Sequence, residues 1–144
     1  MTDKDKHYFG TQLAQASRAW RAELDRRLSH LGLSQARWLV LLHLARNSGI
    51  PTQRELAQSV GVEGPTLARL LDGLESQGLV RRQAVAEDRR AKRICLTPKA
   101  DVLIADIENI AASVRNDVLA GIDESDIAIC QKILSRILSN LEKN

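Results

Sequence analysis

Aromatic residues are almost missing from this chain, whose 144 residues hold one Phe, one Tyr and two Trp. A core so poor in rings must be built from Leu, Ile, Val and Ala. Those residues recur mostly at helical spacing, so an α-rich fold is expected. Cysteine is scarce as well. Cys95 and Cys130 lie far apart with no C-x-x-C, which excludes a disulfide framework and a cysteine-based zinc site; both are read as small apolar residues of the interior. No apolar run approaches the roughly 18 residues of a membrane span. Met1 to His7 is polar and charged, without the apolar segment of a signal peptide, so a cytoplasmic protein with no membrane partner is expected. Catalytic signatures are missing too: there is no G-x-S-x-G, P-loop or H-E-x-x-H, and His7, His30 and His43 have no ligand spacing with one another or with the cysteines. Neither catalysis, nor a metal, nor a cofactor is expected.

Hydrophobic residues make up 44% and charged residues 27%, the balance of a soluble globular protein. The length allows one domain, or a compact domain with an extension. Net charge is only +3, so bulk charge does not announce a nucleic-acid partner. Its distribution is more telling. Between Gly78 and Lys99 seven basic residues face two acidic ones, a balance of +5, whereas from Ala100 onward four basic residues face eight acidic ones, a balance of −4. Positive charge confined to one region fits one face apposed to a polyanion.

The stretch Glu55 to Thr97 reads as one DNA-reading unit. Thr52 and Glu55 have capping-box spacing and start a short helix, Leu56, Ala57 and Val60 give it an inner face, and Gly61 permits a tight turn. A second helix follows. Pro65 suits its first position and Gly78 the position just past its end. At about 100° per residue Leu67, Leu70, Leu71 and Leu74 fall in one narrow arc, the buried stripe. The opposite arc carries Pro65, Ala68, Arg69, Asp72 and Ser76, with Thr66 and Gly73 at its edge. A major groove about 12 Å wide admits a helix whose outer face is this small, and arginine can donate twice to guanine. Arg69 is the base-reading candidate and Thr66 a candidate for a phosphate or a thymine methyl. An Arg69–Asp72 pair on the solvated helix, worth a few tenths of a kcal/mol, is the competing reading.

After Gly78 the period becomes two. Leu79 to Val85 and Arg93 to Leu96 are expected strands, and Ala86 to Ala91 the polar tip between them. The cations Arg89, Arg90, Lys92 and Arg93 at this wing can reach phosphates and an adjoining minor groove, as can Arg82 at its base. Asp88 can hold Arg90 in one rotamer by a charge-assisted bond.

Helices flank this unit. Tyr8 to His30 carries Leu13, Ala16, Trp20, Leu24 and Leu28 at steps of three and four. Ser34 is expected to cap a helix apolar on nearly every side, from Trp38 to Leu44, which places it at the centre of the fold. Thr97 and Pro98 are expected to open another helix as cap and first position, and Asp123 to cap the last, with Ile122 and Ile127 spaced as a hydrophobic staple. In that last helix Ile127, Cys130, Leu134, Ile137 and Leu141 form a lengthwise apolar seam, which suggests a subunit interface. An intramolecular bundle is the alternative.

Leu56-Ala57 through Gly61, Pro65-Thr66, Arg69, Leu74, Gly78-Leu79, Asp88-Arg89-Arg90 and Leu96-Thr97 together resemble the winged-helix core of the MarR family of bacterial regulators, and the wing resembles the SlyA branch. The resemblance covers nearly the whole chain. It implies a mainly α fold with a small β-wing: a winged helix-turn-helix over residues 34–97, and helical dimerisation segments over 1–33 and 98–144. It further implies a homodimer on a pseudo-palindromic site in duplex DNA, with Pro65, Thr66, Ala68 and Arg69 in the major groove and Arg90, oriented by Asp88, in the minor groove. Leu13 joins the last-helix seam in the implied dimer interface. Family members often respond to small aromatic carboxylates, and by similarity Arg18 and Trp38 would line that site, although Leu42 stands where the SlyA branch has a polar partner. A winged helix serving protein partners alone is the rival reading, but it would not need Arg69 and Arg90 on one basic surface.

Overall fold

The computed structural model describes residues 1–143; Asn144, the end of the expected 98–144 segment, lies outside the described residues. Six α-helices and one β-hairpin follow in the order α1 (Asp3–Leu28), a short 3-10 turn (Ser29–Leu31), α2 (Gln35–Arg46), α3 (Gln53–Val60), α4 (Gly64–Ser76), β1 (Val80–Val85), β2 (Asp88–Leu96), α5 (Ala100–Val118) and α6 (Glu124–Glu142). The chain divides into two compact units, Met1–Val114 and Arg115–Asn144.

In the first unit α2 is the centre, as its sequence requires. Trp38, Val40, Leu41, Leu42 and Leu44 are buried, and its first turn is capped by Ser34, whose Oγ accepts from Arg37 N at 3.3 Å. Around α2 gather Leu56 of α3, Leu67, Leu71 and Leu74 of α4, Ile94 of β2 and Ile107 of α5, none more than 1% exposed. Full burial of one such side chain stabilises by about 1.5–3 kcal/mol, so this aliphatic cluster fixes how α3, α4 and the wing sit on α2. Trp38 is wholly buried and its indole N–H donates to Asp25 Oδ1 at 3.2 Å, tying α2 to α1.

Helix α1 starts five residues before Tyr8, because Thr2 and Asp5 form a reciprocal capping box. Thr52 and Glu55 do the same for α3. Gly61 ends α3 with φ +81° and Gly78 follows α4 with φ +76°, conformations open to glycine at little cost. At the end of α4, Gly78 N bonds to Glu75 O and Leu79 N to Leu74 O, the paired bonds of a Schellman motif.

Four expectations about boundaries and burial need correction. Pro65 is the second helical residue of α4, after Gly64; it is still in the first turn, where a missing N–H costs nothing. Helix α5 begins at Ala100, because Thr97 and Pro98 lead into a turn and the Thr97 hydroxyl donates to Gly78 O at 2.5 Å instead of capping. The hairpin tip shrinks to Ala86 and Glu87, since β2 already starts at Asp88, with the register slipping between Ala84 and Val85. Cys95 is half-buried and Cys130 exposed, so neither is an interior residue.

In the second unit α6 has no buried residue. Asp123 occupies its N-cap position without a side-chain cap bond, and Ile122 beside it is exposed.

Candidate nucleic-acid interface

Helices α3 and α4, joined through Gly61 to Glu63, form a helix-turn-helix, and β1 and β2 follow as an antiparallel wing. The leucine stripe of α4 faces the core, which turns Pro65, Thr66 and Arg69 outward, all exposed, with Ala68 half-buried. Asp72 is not the partner of Arg69. Its Oδ1 lies 2.8 Å from Arg82 Nη1, and Arg69 has no ion-pair partner among the described residues. The helix therefore offers one unengaged guanidinium on a surface of small residues, which is the form major-groove reading takes.

Arg82 does not fill the role expected of it. Its guanidinium donates to Ala68 O at 2.9 Å and to Glu75 Oε1 at 3.3 Å in addition to pairing with Asp72, and its backbone N donates to Glu75 Oε2 at 3.2 Å. With all these partners on α4, Arg82 is a brace between wing base and recognition helix. Arg93 is likewise engaged, donating from Nη1 to Ile50 O at 2.7 Å. Beside it Ile94 N donates to Pro51 O at 2.9 Å, and Thr52 bridges Arg93. The turn before α3 is thus bonded to the outer edge of β2 by a single bridge. The alternating pattern of β2 gave no sign of this pairing, because a single bridge leaves no periodic pattern in Ile50-Pro51-Thr52.

At the tip, Asp88 acts differently from the expected grip on a side chain. Its Oδ1 accepts from the backbone N of Arg90 at 2.9 Å. The carboxylate fixes the chain at Arg90 and leaves the guanidinium unpaired. Arg89, Arg90 and Lys92 are all exposed.

Between α3, the first turn of α4 and the wing tip lies an open cleft of about 910 Å³. It gathers Pro65, Ala68, Asp88, Arg90 and Lys92, five of the residues singled out from the sequence. Arg69, Thr66 and Arg89 do not line it. Three lining residues, Gln53, Arg54 and Gln58, escaped sequence reading; their spacing on the polar face of α3 was the available signal. Arg37 escaped as well. Its guanidinium lies across Gly73, where a Cβ would overlap it, and donates to Gln77 Oε1 at 3.2 Å. Glycine inside a helix costs about 1 kcal/mol against alanine, and here it makes room for the arginine that holds the end of α4 to α2.

The remaining expected residues lie elsewhere. Arg18 is exposed on α1, two turns before Asp25, while Trp38 is buried; no hydrogen bond among the described residues joins them. Leu13, Leu134 and Leu141 are 39%, 40% and 63% exposed, and Ile127 and Ile137 are half-buried. Among the described residues no cluster of His, Cys, Asp and Glu could hold a metal ion, and no helix is long and apolar enough to cross a membrane.

A helix-turn-helix with an exposed arginine on its second helix, followed by a cationic wing, defines a winged-helix DNA-binding protein. Known proteins agree. The sequence model of the MarR family matches residues 31–91. The crystal structure of transcriptional regulator PA3341 is 85% identical, covers 95% of this chain and 100% of its own, and superposes with a TM-score of 0.90. A MarR-family transcriptional regulator from Silicibacter pomeroyi is 27% identical over 94% of this chain and 90% of its own, with a TM-score of 0.82. MepR of S. aureus, solved in complex with DNA, shares the fold at 22% identity over 92% and 97% of the two chains, with a TM-score of 0.77. This chain belongs to the MarR family of transcriptional regulators.

Proposed function

We propose that this regulator binds specific pseudo-palindromic operators in double-stranded DNA as a homodimer, in the cytoplasm, and that it falls in the SlyA-like branch. The observation that supports the reading is the cleft lined by Pro65 and Ala68 of α4 and by Arg90 and Lys92 of the wing, together with the exposure of Thr66 and unpaired Arg69 on the same helix. In this reading Pro65, Thr66, Ala68 and Arg69 meet base edges and backbone in the major groove, Arg90 enters the minor groove, and Arg89 and Lys92 meet phosphates. Residues 34–97 form the DNA-reading domain and 1–33 with 98–144 the dimerisation region. The Asp88-Arg89-Arg90 wing followed by Leu96-Thr97 supports the branch.

A helix of 19 residues with none buried supports the dimer. Ile129, Ile133, Leu134, Leu138 and Leu141 are 40–63% exposed on it, a larger apolar surface than a lone soluble helix keeps in water. An aromatic carboxylate effector at Arg18 and Trp38 fits the side-chain chemistry, a guanidinium for the carboxylate and an indole for the ring. Its binding would require the packing around Trp38 to open and the Asp25 bond to be exchanged.

Selection of bound fragments from a random duplex pool tests the reading. The expected product is a two-fold symmetric motif whose half-sites lie about 10 base pairs apart, and Arg69→Ala should relax the preference at one base pair in each half-site by about 1–3 kcal/mol. Recovery of no enriched motif would reject specific DNA binding and favour a winged helix for protein partners.

A further inference from the structure

In B-form DNA one sugar–phosphate strand separates a major groove from the minor groove beside it, so a protein reaching into both must straddle that strand. Here α4 is the major-groove element and Arg90 the minor-groove element, and the cleft lies between them. Its floor is small and apolar, formed by Ala57, Pro65 and Ala68, and allows close approach. Its polar lining holds three cations, Arg54, Arg90 and Lys92, against one carboxylate, Asp88, which is already engaged by Arg90 N. The nearest acid on α3, Glu55, is turned to Thr52, with Oε1 2.9 Å from the hydroxyl. The first turn of α4 opens onto the cleft at Gly64 without a side-chain cap, which leaves backbone N–H groups for an anion.

We propose that this cleft is the channel for that single phosphate strand, and that Arg54, with Gln58 four residues further along α3, is its phosphate clamp. The inference rests on the DNA reading above and adds the residues that set how deeply α4 sits in its groove. Arg54 is exposed and has no ion-pair partner among the described residues, so its guanidinium is available to a phosphate, which it can grip with two parallel bonds. A contact to phosphate carries no sequence information. Arg54 therefore contributes affinity and register, whereas Arg69 contributes base preference.

The test compares the full-length protein with Arg54→Ala and Arg54→Lys on two probes: a duplex selected by the wild type from a random pool, and a scrambled duplex of equal length. Arg54→Ala is expected to weaken both by a common factor, about fivefold per protomer near 0.15 M salt, and to lower the log–log salt slope by about 0.9 per protomer. Arg54→Lys should keep most of the slope. Because Arg54 is exposed, circular dichroism of the variants should match the wild type. Unchanged affinity and slope for Arg54→Ala, beside a salt-dependent wild type, would overturn the channel alone. Loss confined to the selected duplex would overturn it too, by making Arg54 a base reader. A wild type with a flat salt response would overturn the DNA reading and the channel together.

Discussion

Arg82, at the base of the wing, places Nη1 2.8 Å from Asp72 Oδ1 in the middle of the recognition helix. The same guanidinium reaches Ala68 O at 2.9 Å and Glu75 Oε1 at 3.3 Å. One side chain thus spans two turns of α4 from the strand that follows it, and wing and helix are held as one body. The carboxylates are 68% and 44% exposed, so water screens the ion pairs and each is worth about 0–1 kcal/mol. The bond to the carbonyl contributes about 1 kcal/mol more.

Arg82→Ala should therefore lower the free energy of unfolding by about 1–2 kcal/mol, read from urea denaturation. Arg82→Lys should recover only part, because an ammonium cannot reproduce the planar fork that serves three acceptors at once. An unchanged midpoint in both variants would show that the brace adds nothing to the fold.

The wing tip allows a sharper comparison. Since Asp88 accepts from the backbone of Arg90, its acceptor oxygen matters more than its charge. Asp88→Asn should bind a selected duplex nearly as well as the wild type, whereas Asp88→Ala should lose part of what Arg90→Ala loses. Arg90→Ala itself should cost about 1–3 kcal/mol. If fluorescence anisotropy shows Asp88→Asn to be as weak as Asp88→Ala, the carboxylate works through its charge and the backbone bond is incidental.

The proposed dimer predicts that Leu134→Glu, on the exposed seam of α6, gives a folded monomer in sedimentation velocity, since a carboxylate in an apolar interface is strongly disfavoured. Leu134 is 40% exposed in the single chain, so a charge there can reach water without being buried. A dimer that survives this change, together with the same change at Ile137, would take the seam out of the interface.

Acid should weaken the fold in two separable stages. His43 is held below its ordinary 6.5 chiefly by burial, with Arg46 and Arg21 adding to the effect. The unfolded chain then binds a proton that the folded chain refuses, so stability falls as pH drops below about 6.5. Glu23 is held at about 2, against an ordinary 4.5, by hydrogen bonds from Arg26 and then Arg27. Its contribution is present above 4.5 and lost as pH falls toward 2. Thermal melts should show His43→Gln flattening the first stage and Glu23→Gln the second; a His43→Gln profile parallel to the wild type between pH 7 and 5 would remove His43 from the account.

Much of this was legible in residue order. The all-round apolarity of α2, the leucine stripe of α4, the capping box of α3 and the glycines after α3 and α4 are local signals, and the structure follows them within a residue or two, whereas the capping box of Thr2 and Asp5 went unread and α1 starts five residues before Tyr8. What escaped reading was pairing across distance. Nothing near Arg82 or Arg93 tells that the first is spent on α4 and the second on Ile50, because those partners arrive only when the chain folds back. The same holds for Arg37 over Gly73, where a glycine placed by its position at the edge of the outer face is space reserved for a side chain of another helix. Thr97 shows the reverse: it has the chemistry of a cap, but its hydroxyl is turned to donate to a carbonyl 19 residues earlier.

The short bridge from Pro51 and Thr52 to β2 has a mechanical consequence. With β1 tied to α4 through Arg82 and β2 tied to Pro51 and Thr52, the base of the hairpin is fastened on both sides, and the reach of its tip starts from that anchored base. One residue inserted between α2 and α3 is therefore expected to displace that anchor, and with it the position of Arg90 relative to α4.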